Sequence, residues 1–188
     1  GLYLHNRVNN GSIFKISTSG ELEKELCKNT GLHVCHINNE LFCHLYPKNQ
    51  QNRSNGNLIQ ITNGNKVIKS LLKQRDYSSD RNTQTKINSV NSQLYYYDDS
   101  ISIWEGFCDT IYRLSSDLCL TKKYYLDYGN YKIPVKTLKS KELFRTRIPK
   151  FAYLYSFVEN SNFIFFEMSI NKSIKCLIYD KSSHQETS

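Results

Sequence analysis

Asp109-Thr110-Ile111-Tyr112-Arg113-Leu114, then Ser115-Ser116-Asp117, then Leu118-Cys119-Leu120-Thr121-Lys122-Lys123 reads as two strands joined by a polar turn. Apolar and polar positions alternate with a period of two, which turns one face of a strand toward a core. The same pattern occurs twice earlier in the chain. Ser12-Ile13-Phe14-Lys15-Ile16-Ser17 leads through Thr18-Ser19-Gly20 to Glu21-Leu22-Glu23-Lys24-Glu25-Leu26. Asn57-Leu58-Ile59-Gln60-Ile61-Thr62 leads through Asn63-Gly64-Asn65 to Lys66-Val67-Ile68-Lys69-Ser70-Leu71. A β-sandwich would also alternate, but it does not require its hairpins to echo one another. Self-similar hairpins recurring at roughly 40 to 55 residues are the mark of a propeller, in which four-stranded units bury their faces on their neighbours.

Working outward from these hairpins, further strands fall between turn signals. Leu2–Val8 precedes the first hairpin across Asn9-Asn10-Gly11. Leu32–Ile37 and Glu40–Tyr46 flank Asn38-Asn39, and a polar loop, Lys48–Gly56, separates them from the second hairpin. Gln93–Tyr97 and Ser100–Glu105 meet across Asp98-Asp99 ahead of the third, after a long polar stretch, Arg75–Asn88. Ala152–Val158, Asn162–Ile170 and Ser173–Asp180 complete a fourth unit. Asn, Asp and Gly at the turns supply the positive φ that tight hairpins need. The pattern predicts an all-β chain: a single partial β-propeller domain of about four blades of four-stranded antiparallel sheet. Its approximate units are 1–31, 32–87, 88–150 and 151–188, forming an incomplete ring whose open sheet edges invite self-association.

Composition fits this reading. With 14 Tyr and 9 Phe among 188 residues, much of the hydrophobic content is aromatic, which suits a pleated surface. No run approaches the roughly 20 apolar residues that a membrane-spanning helix requires. Six cysteines, with no C-x-x-C spacing, are sparse for a disulfide scaffold and read as small core hydrophobes. The net charge of +8 is local: Lys132, Lys136, Lys139, Lys141, Arg145, Arg147 and Lys150 face only Glu142, which places six of the eight charges in one connector. Such a segment can meet phosphate, an anionic glycan or lipid headgroups, or can simply be solvated.

From Asp109 onward the chain resembles a known family. Asp109-Thr110-Ile111-Tyr112-Arg113-Leu114, followed by Tyr124-Tyr125-Leu126-Asp127-Tyr128-Gly129-Asn130-Tyr131-Lys132-Ile133-Pro134, is similar to a signature of the Bacteroidetes six-bladed β-propeller proteins of unassigned activity. Phe157-Val158-Glu159-Asn160, Phe163-Ile164-Phe165 and Tyr179-Asp180-Lys181 look like the blade that follows, so the match is best over residues 88–188. The resemblance implies export to the periplasm or outer membrane, often as a lipoprotein. Family members are about twice as long as this chain.

Candidate chemistry is sparse. His33, Cys35, His36, Cys43 and His44 include zinc-ligand types, but alternation along a strand sends neighbouring side chains to opposite faces; the expectation is no metal, with Cys inward and His outward. Asp98, Asp99, Asp109 and Asp127 sit at turns or strand starts, where Asp is explained by local hydrogen bonding. No nucleophile elbow, phosphate loop or dinucleotide fingerprint occurs, so neither a cofactor nor a catalytic residue is expected. Trp104 beside Glu105 is a candidate stacking and hydrogen-bonding pair for a sugar or peptide, and Arg145 with Arg147 a candidate anion site. The reading is a non-enzymatic binding or scaffolding module of the bacterial cell envelope with a glycan or protein ligand. The alternative is a propeller-type polysaccharide hydrolase or lyase. A nucleic-acid partner is disfavoured, because the basic segment lacks interleaved aromatics.

Overall fold

The computed structural model describes residues 2–6, 11–28, 30–31, 33–38, 40–46, 56–73, 92–183 and 185–187. Most of the expected loop Lys48–Gly56 and all of Arg75–Asn88 lie outside the described residues. The chain is nearly all β: four antiparallel sheets of three or four strands, each a simple meander in chain order. It divides into two compact units, residues 1–74 and 75–188.

In the first unit, one sheet holds β1 (Leu2–Asn6), β2 (Ser12–Ile16) and β3 (Leu22–Lys28), and the second holds β4 (His33–His36), β5 (Leu41–Leu45), β6 (Asn57–Asn63) and β7 (Lys66–Lys73). In the second unit, the third sheet holds β8 (Gln93–Tyr97), β9 (Ser100–Trp104), β10 (Thr110–Ser115) and β11 (Leu120–Tyr125). The fourth holds β12 (Tyr153–Glu159), β13 (Phe163–Ile170), β14 (Ser173–Asp180) and β15 (Gln185–Thr187). The three echoing hairpins are β2–β3, β6–β7 and β10–β11, and each is the last pair of its sheet. The short β15, which pairs with Ile178–Asp180, is an addition to the three strands expected of the last unit.

Two-residue turns form where Asp and Asn were expected to allow them. Asp98 and Asp99 have φ of 52° and 49°, and Asn171 and Lys172 have 48° and 69°, which twists the flanking strands the right way for a tight hairpin. Central strands are buried on both faces: every residue of β9 is buried, as are Phe42–Leu45 of β5. That overturns the expectation of an outward His44. His44 is fully buried, with Nε2 2.8 Å from the Thr62 hydroxyl, because β5 lies inside its sheet and the first sheet packs on that side through Ile13, Cys27 and Phe42.

The third and fourth sheets stack through Trp104, Ile111, Leu154, Phe157, Ile164 and Met168. On the opposite side of the fourth sheet, Val158, Phe165 and Ile178 lie in one cross-strand row and remain 47%, 39% and 38% exposed. The basic connector is more ordered than a solvated loop. It forms a 3-10 turn at Gly129–Tyr131, α1 (Val135–Lys139), α2 (Lys141–Arg147) and a further turn at Ile148–Lys150. Ile133, Leu138 and Ile148 fix it by packing with Cys108 and, at their margin, Phe107, Phe151 and Tyr153. Three apolar residues spaced through a Lys-rich segment were the trace of this in the sequence.

Gly31 marks the tightest approach in the first unit. A β-carbon there would overlap the carbonyl of Leu45, a backbone group that cannot swing away. Gly31→Ala is expected to destabilise this unit by about 1–3 kcal/mol, the usual cost of overpacking. Urea unfolding monitored on the first unit checks this, and an unchanged midpoint would show that the strand can shift.

Candidate functional site

Between the third and fourth sheets lies a cleft of about 620 Å³. The third sheet contributes Lys123, Tyr124 and Tyr125 from β11 and the chain that leaves it, Leu126, Asp127, Tyr128 and Tyr131. The fourth contributes Ile164, Phe166, Met168 and Ile170 from β13 and Leu177 and Tyr179 from β14, with Ala152 also in the wall; Ile178, the residue between those two, borders the cleft although it belongs to the far-face row. These strands place the side chains there for a simple reason: β13 and β14 turn Ile164, Phe166, Leu177 and Tyr179 toward the third sheet, and β11 is that sheet's last strand. The result is an apolar wall on one side and a tyrosine-rich wall on the other.

The tyrosines differ in setting. Tyr128 is buried, donates to the Cys108 carbonyl at 3.4 Å, and has its phenol pushed well up by burial. Tyr124 donates to Glu159 Oε2 at 2.8 Å; burial, reinforced by that carboxylate, raises its pKa well above the ordinary phenol range. Tyr125 and Tyr131 are open, 63% and 47% exposed. Asp127, the carboxylate among the described lining residues, accepts the Gly129 N–H at 2.9 Å and so shapes the turn.

Lys123 ties one end of the cleft to a buried ionic cluster. Glu159, with a 1% exposed side chain, sits between Lys123 and Lys181, paired to Lys123 through Oε1 and to Lys181 through Oε2 at 3.0 Å. Ser102 donates to Oε1 at 3.3 Å, and Tyr95 donates to the Glu159 carbonyl at 3.0 Å. Both ammonium groups also stand over the Tyr97 ring, at 5.9 and 5.2 Å from its centre. Burial alone would raise the Glu159 pKa, but the two lysines and Tyr124 outweigh it and hold the carboxyl below its ordinary value. This cluster bridges the two sheets that form the cleft.

The residues singled out in the sequence fall elsewhere. Trp104 is fully buried among Ile111, Tyr128, Leu154 and their neighbours, so it backs the cleft rather than lining it. Glu105 is buried in the β9–β10 turn, where its Oε2 accepts from Cys108 Sγ at 3.4 Å and Gly106 N–H donates to Ser92. Arg145 lies on α2 with its side chain outside the described residues, and Arg147 closes α2 exposed. Glu105 and the basic connector do share one end of the second unit, since Cys108 from the same turn packs under Ile133 and Ile148. The tyrosines themselves were visible as Tyr124-Tyr125-Leu126-Asp127-Tyr128-Gly129-Asn130-Tyr131, four in eight residues. That density was the sequence signal for this wall, but its partner strands come from more than 30 residues downstream.

Cys35 and Cys43 are direct cross-strand partners on β4 and β5. Burial pushes the Cys35 thiol up to about 11 and Cys43 well above its ordinary value, which favours neutral thiols over the thiolates a metal needs. No disulfide joins any of the six cysteines, and among the described residues no group of three or more His, Cys, Asp or Glu is placed to hold a metal.

The architecture defines a class: a β protein assembled from successive meander sheets, with a cleft where two of them meet. The chain belongs to the family described as a domain of unknown function, DUF4933, whose pattern matches residues 68–183 and so takes in the whole of that cleft. Its fold is similar to the crystal structure of a "Putative exported protein" from Bacteroides fragilis, with a TM-score of 0.67 at 12% identity. The match covers 98% of this chain and 56% of that one, so this chain spans little more than half of its structural neighbour. No curated protein matches the sequence. No helix among the described residues is long and apolar enough to cross a membrane.

Glu159→Gln is expected to cost about 3 kcal/mol, since removing one partner leaves buried cations uncompensated. The sign with pH follows from the lowered carboxyl. The cluster's contribution is full above the ordinary value of 4.5 and fades as pH falls through the lower value in the folded protein. Urea midpoints of both proteins between pH 7 and pH 3 check this: the gap between them should close toward acid, and a pH-independent gap would refute the electrostatic account.

Proposed function

We propose that this chain is a non-enzymatic binding module of the bacterial cell envelope, and that the tyrosine-walled cleft between its third and fourth sheets holds a segment of glycan. The observation that carries this is the exposed pair Tyr125 and Tyr131 on one wall, opposite the apolar wall of β13 and β14; Tyr124 and Tyr128, whose hydroxyls are taken by Glu159 and the Cys108 carbonyl, fix that wall in place. A sugar ring offers an apolar C–H face and a rim of hydroxyls. Tyrosine answers both, with a ring for the face and a phenol for the rim. A hydrolase or lyase is the less favoured reading, because Asp127 is already committed to the Gly129 turn and Glu159 to its two lysines.

In this reading the four sheets are blades of a six-bladed ring carried outside the cytoplasm, at the periplasmic or outer-membrane surface. Support comes from the repeated meanders, from the family signature around Asp109–Pro134, and from a structural neighbour named as an exported protein. The exposed row Val158, Phe165 and Ile178 is the kind of surface against which another sheet, or another copy of the chain, would pack.

Affinity electrophoresis against mannan, xyloglucan and laminarin tests the cleft. At least one polymer should retard the protein, and Tyr125→Ala or Tyr131→Ala should weaken that retardation by about three- to tenfold, the worth of a stacked aromatic. Retardation unchanged by both substitutions, or none with any of the polymers, would overturn the assignment.

A further inference from the structure

The basic connector leaves the cleft wall at Tyr131 and returns to it at Ala152, whose N–H donates to the Tyr131 carbonyl at 2.9 Å. Tyr131 lines the cleft and is followed at once by Lys132, whose ammonium lies 6.0 Å from the ring of Tyr125, another lining residue. Lys132 is itself paired with Asp109 at 2.7 Å. Beyond it α1 is two-faced: Thr137 and Leu138 are buried, whereas Val135, Lys136 and Lys139 are exposed at positions one helical turn apart. Arg147 at the end of α2 and Lys150 beyond it continue the exposed cations, and Glu142 is the acid exposed among them.

A segment that merely linked two sheets would not need a buried underside, yet this one is clamped by Ile133, Leu138 and Ile148. The clamp anchors the stretch that carries these exposed cations, and the two residues that bound that stretch, Tyr131 and Ala152, both line the cleft. That anchored basic stretch is the second observation, independent of the tyrosine rings, and it bears on what kind of glycan the cleft accepts.

We propose that the ligand is an acidic polysaccharide. Its sugar rings occupy the tyrosine-walled cleft, and its carboxylate or sulfate groups, as the strand runs out past Tyr131, lie over Lys136, Lys139, Arg147 and Lys150. This rests on the glycan reading of the cleft and narrows it to a substrate class. A backbone already anchored needs little ordering when its cations meet an anionic chain, and the counterions they displace make binding salt-dependent.

The test compares polygalacturonate, dextran sulfate and neutral mannan by isothermal titration and affinity electrophoresis at 50 and 200 mM NaCl. The wild-type protein should bind an acidic polymer more tightly than mannan, with a loss of about tenfold across that salt range. Polygalacturonate and dextran sulfate separate carboxylate from sulfate recognition, and preference for either supports the proposal. K136E/K139E/R147E/K150E should abolish the acidic preference and its salt dependence. Because four changes can perturb folding, K136Q/K139Q, confined to the open face of α1, should lower the salt dependence on its own, with melting temperatures confirming that both variants fold. Equal affinity for acidic and neutral polymers would overturn the inference while leaving the cleft assignment standing. Absence of binding to every polymer would overturn both. Tighter binding to phosphatidylglycerol vesicles or to duplex DNA than to either acidic polymer would overturn it in favour of a membrane or nucleic-acid surface.

Discussion

A strand such as Ser100–Trp104, buried at every position, can exist only between two other layers, and that requirement organises the molecule. An isolated four-stranded meander has two faces and can hide neither by itself. The third sheet covers its Trp104 and Ile111 face with Leu154, Phe157 and Ile164 of the fourth, while Ile101, Ile103 and Leu114, on its other face, are buried as well. The second sheet shows the same economy, with Phe42 and His44 buried on one side of β5 and Cys43 and Leu45 on the other. Repetition follows: once one unit must be sandwiched, its neighbours need the same pair of faces.

Sheet stacking by apolar contact alone fixes separation better than it fixes alignment. The Glu159 cluster supplies the missing direction. A buried carboxylate that must meet two ammonium groups, a phenol and a hydroxyl has essentially one acceptable position, so Lys123 and Tyr124 of β11 and Ser102 of β9 register the fourth sheet against the third, while Lys181 beyond β14 holds the carboxylate from its own sheet. Such a cluster adds modestly to stability while penalising misalignment heavily, because any slip strands a buried charge. The same contacts hold Tyr124 in the cleft wall. Thus the geometry of the candidate site derives from the device that aligns the two sheets.

These two constraints also explain which features were legible in the sequence. The limits of Lys66–Lys73 and Ser173–Asp180 were read within a residue or so because turn residues bound them, Asn63-Gly64-Asn65 ahead of the first and Asn171-Lys172 ahead of the second. Central strands are dry on both sides, where alternation carries no information about burial; His44 therefore read as outward, and Trp104 with Glu105 read as available to a ligand. The helices of the connector escaped because five- and seven-residue helices are too short to display a period, and their apolar anchors Ile133, Leu138 and Ile148 are spread through a run of cations. The cleft was half legible. Its tyrosine wall is contiguous in sequence, but its apolar wall is assembled from two strands of the next sheet, and that pairing depends on how sheets stack.

The position of the cleft follows from the connectivity. Within the third and fourth meanders the turns are short, whereas the passage from β11 to β12 spans Leu126 to Ala152. Tight turns leave little material for a site; a long passage between sheets can carry tyrosines along one sheet's margin and then a clamped basic surface at its end. Because both ends of that passage are anchored, by the Lys132–Asp109 pair and the Ala152 N–H to Tyr131 carbonyl bond at one side and by Ile148 at the other, it is held as part of the scaffold. A ligand meeting it would therefore spend little of its binding energy on ordering the protein, which is the condition under which weak stacking and exposed cations add up to useful affinity.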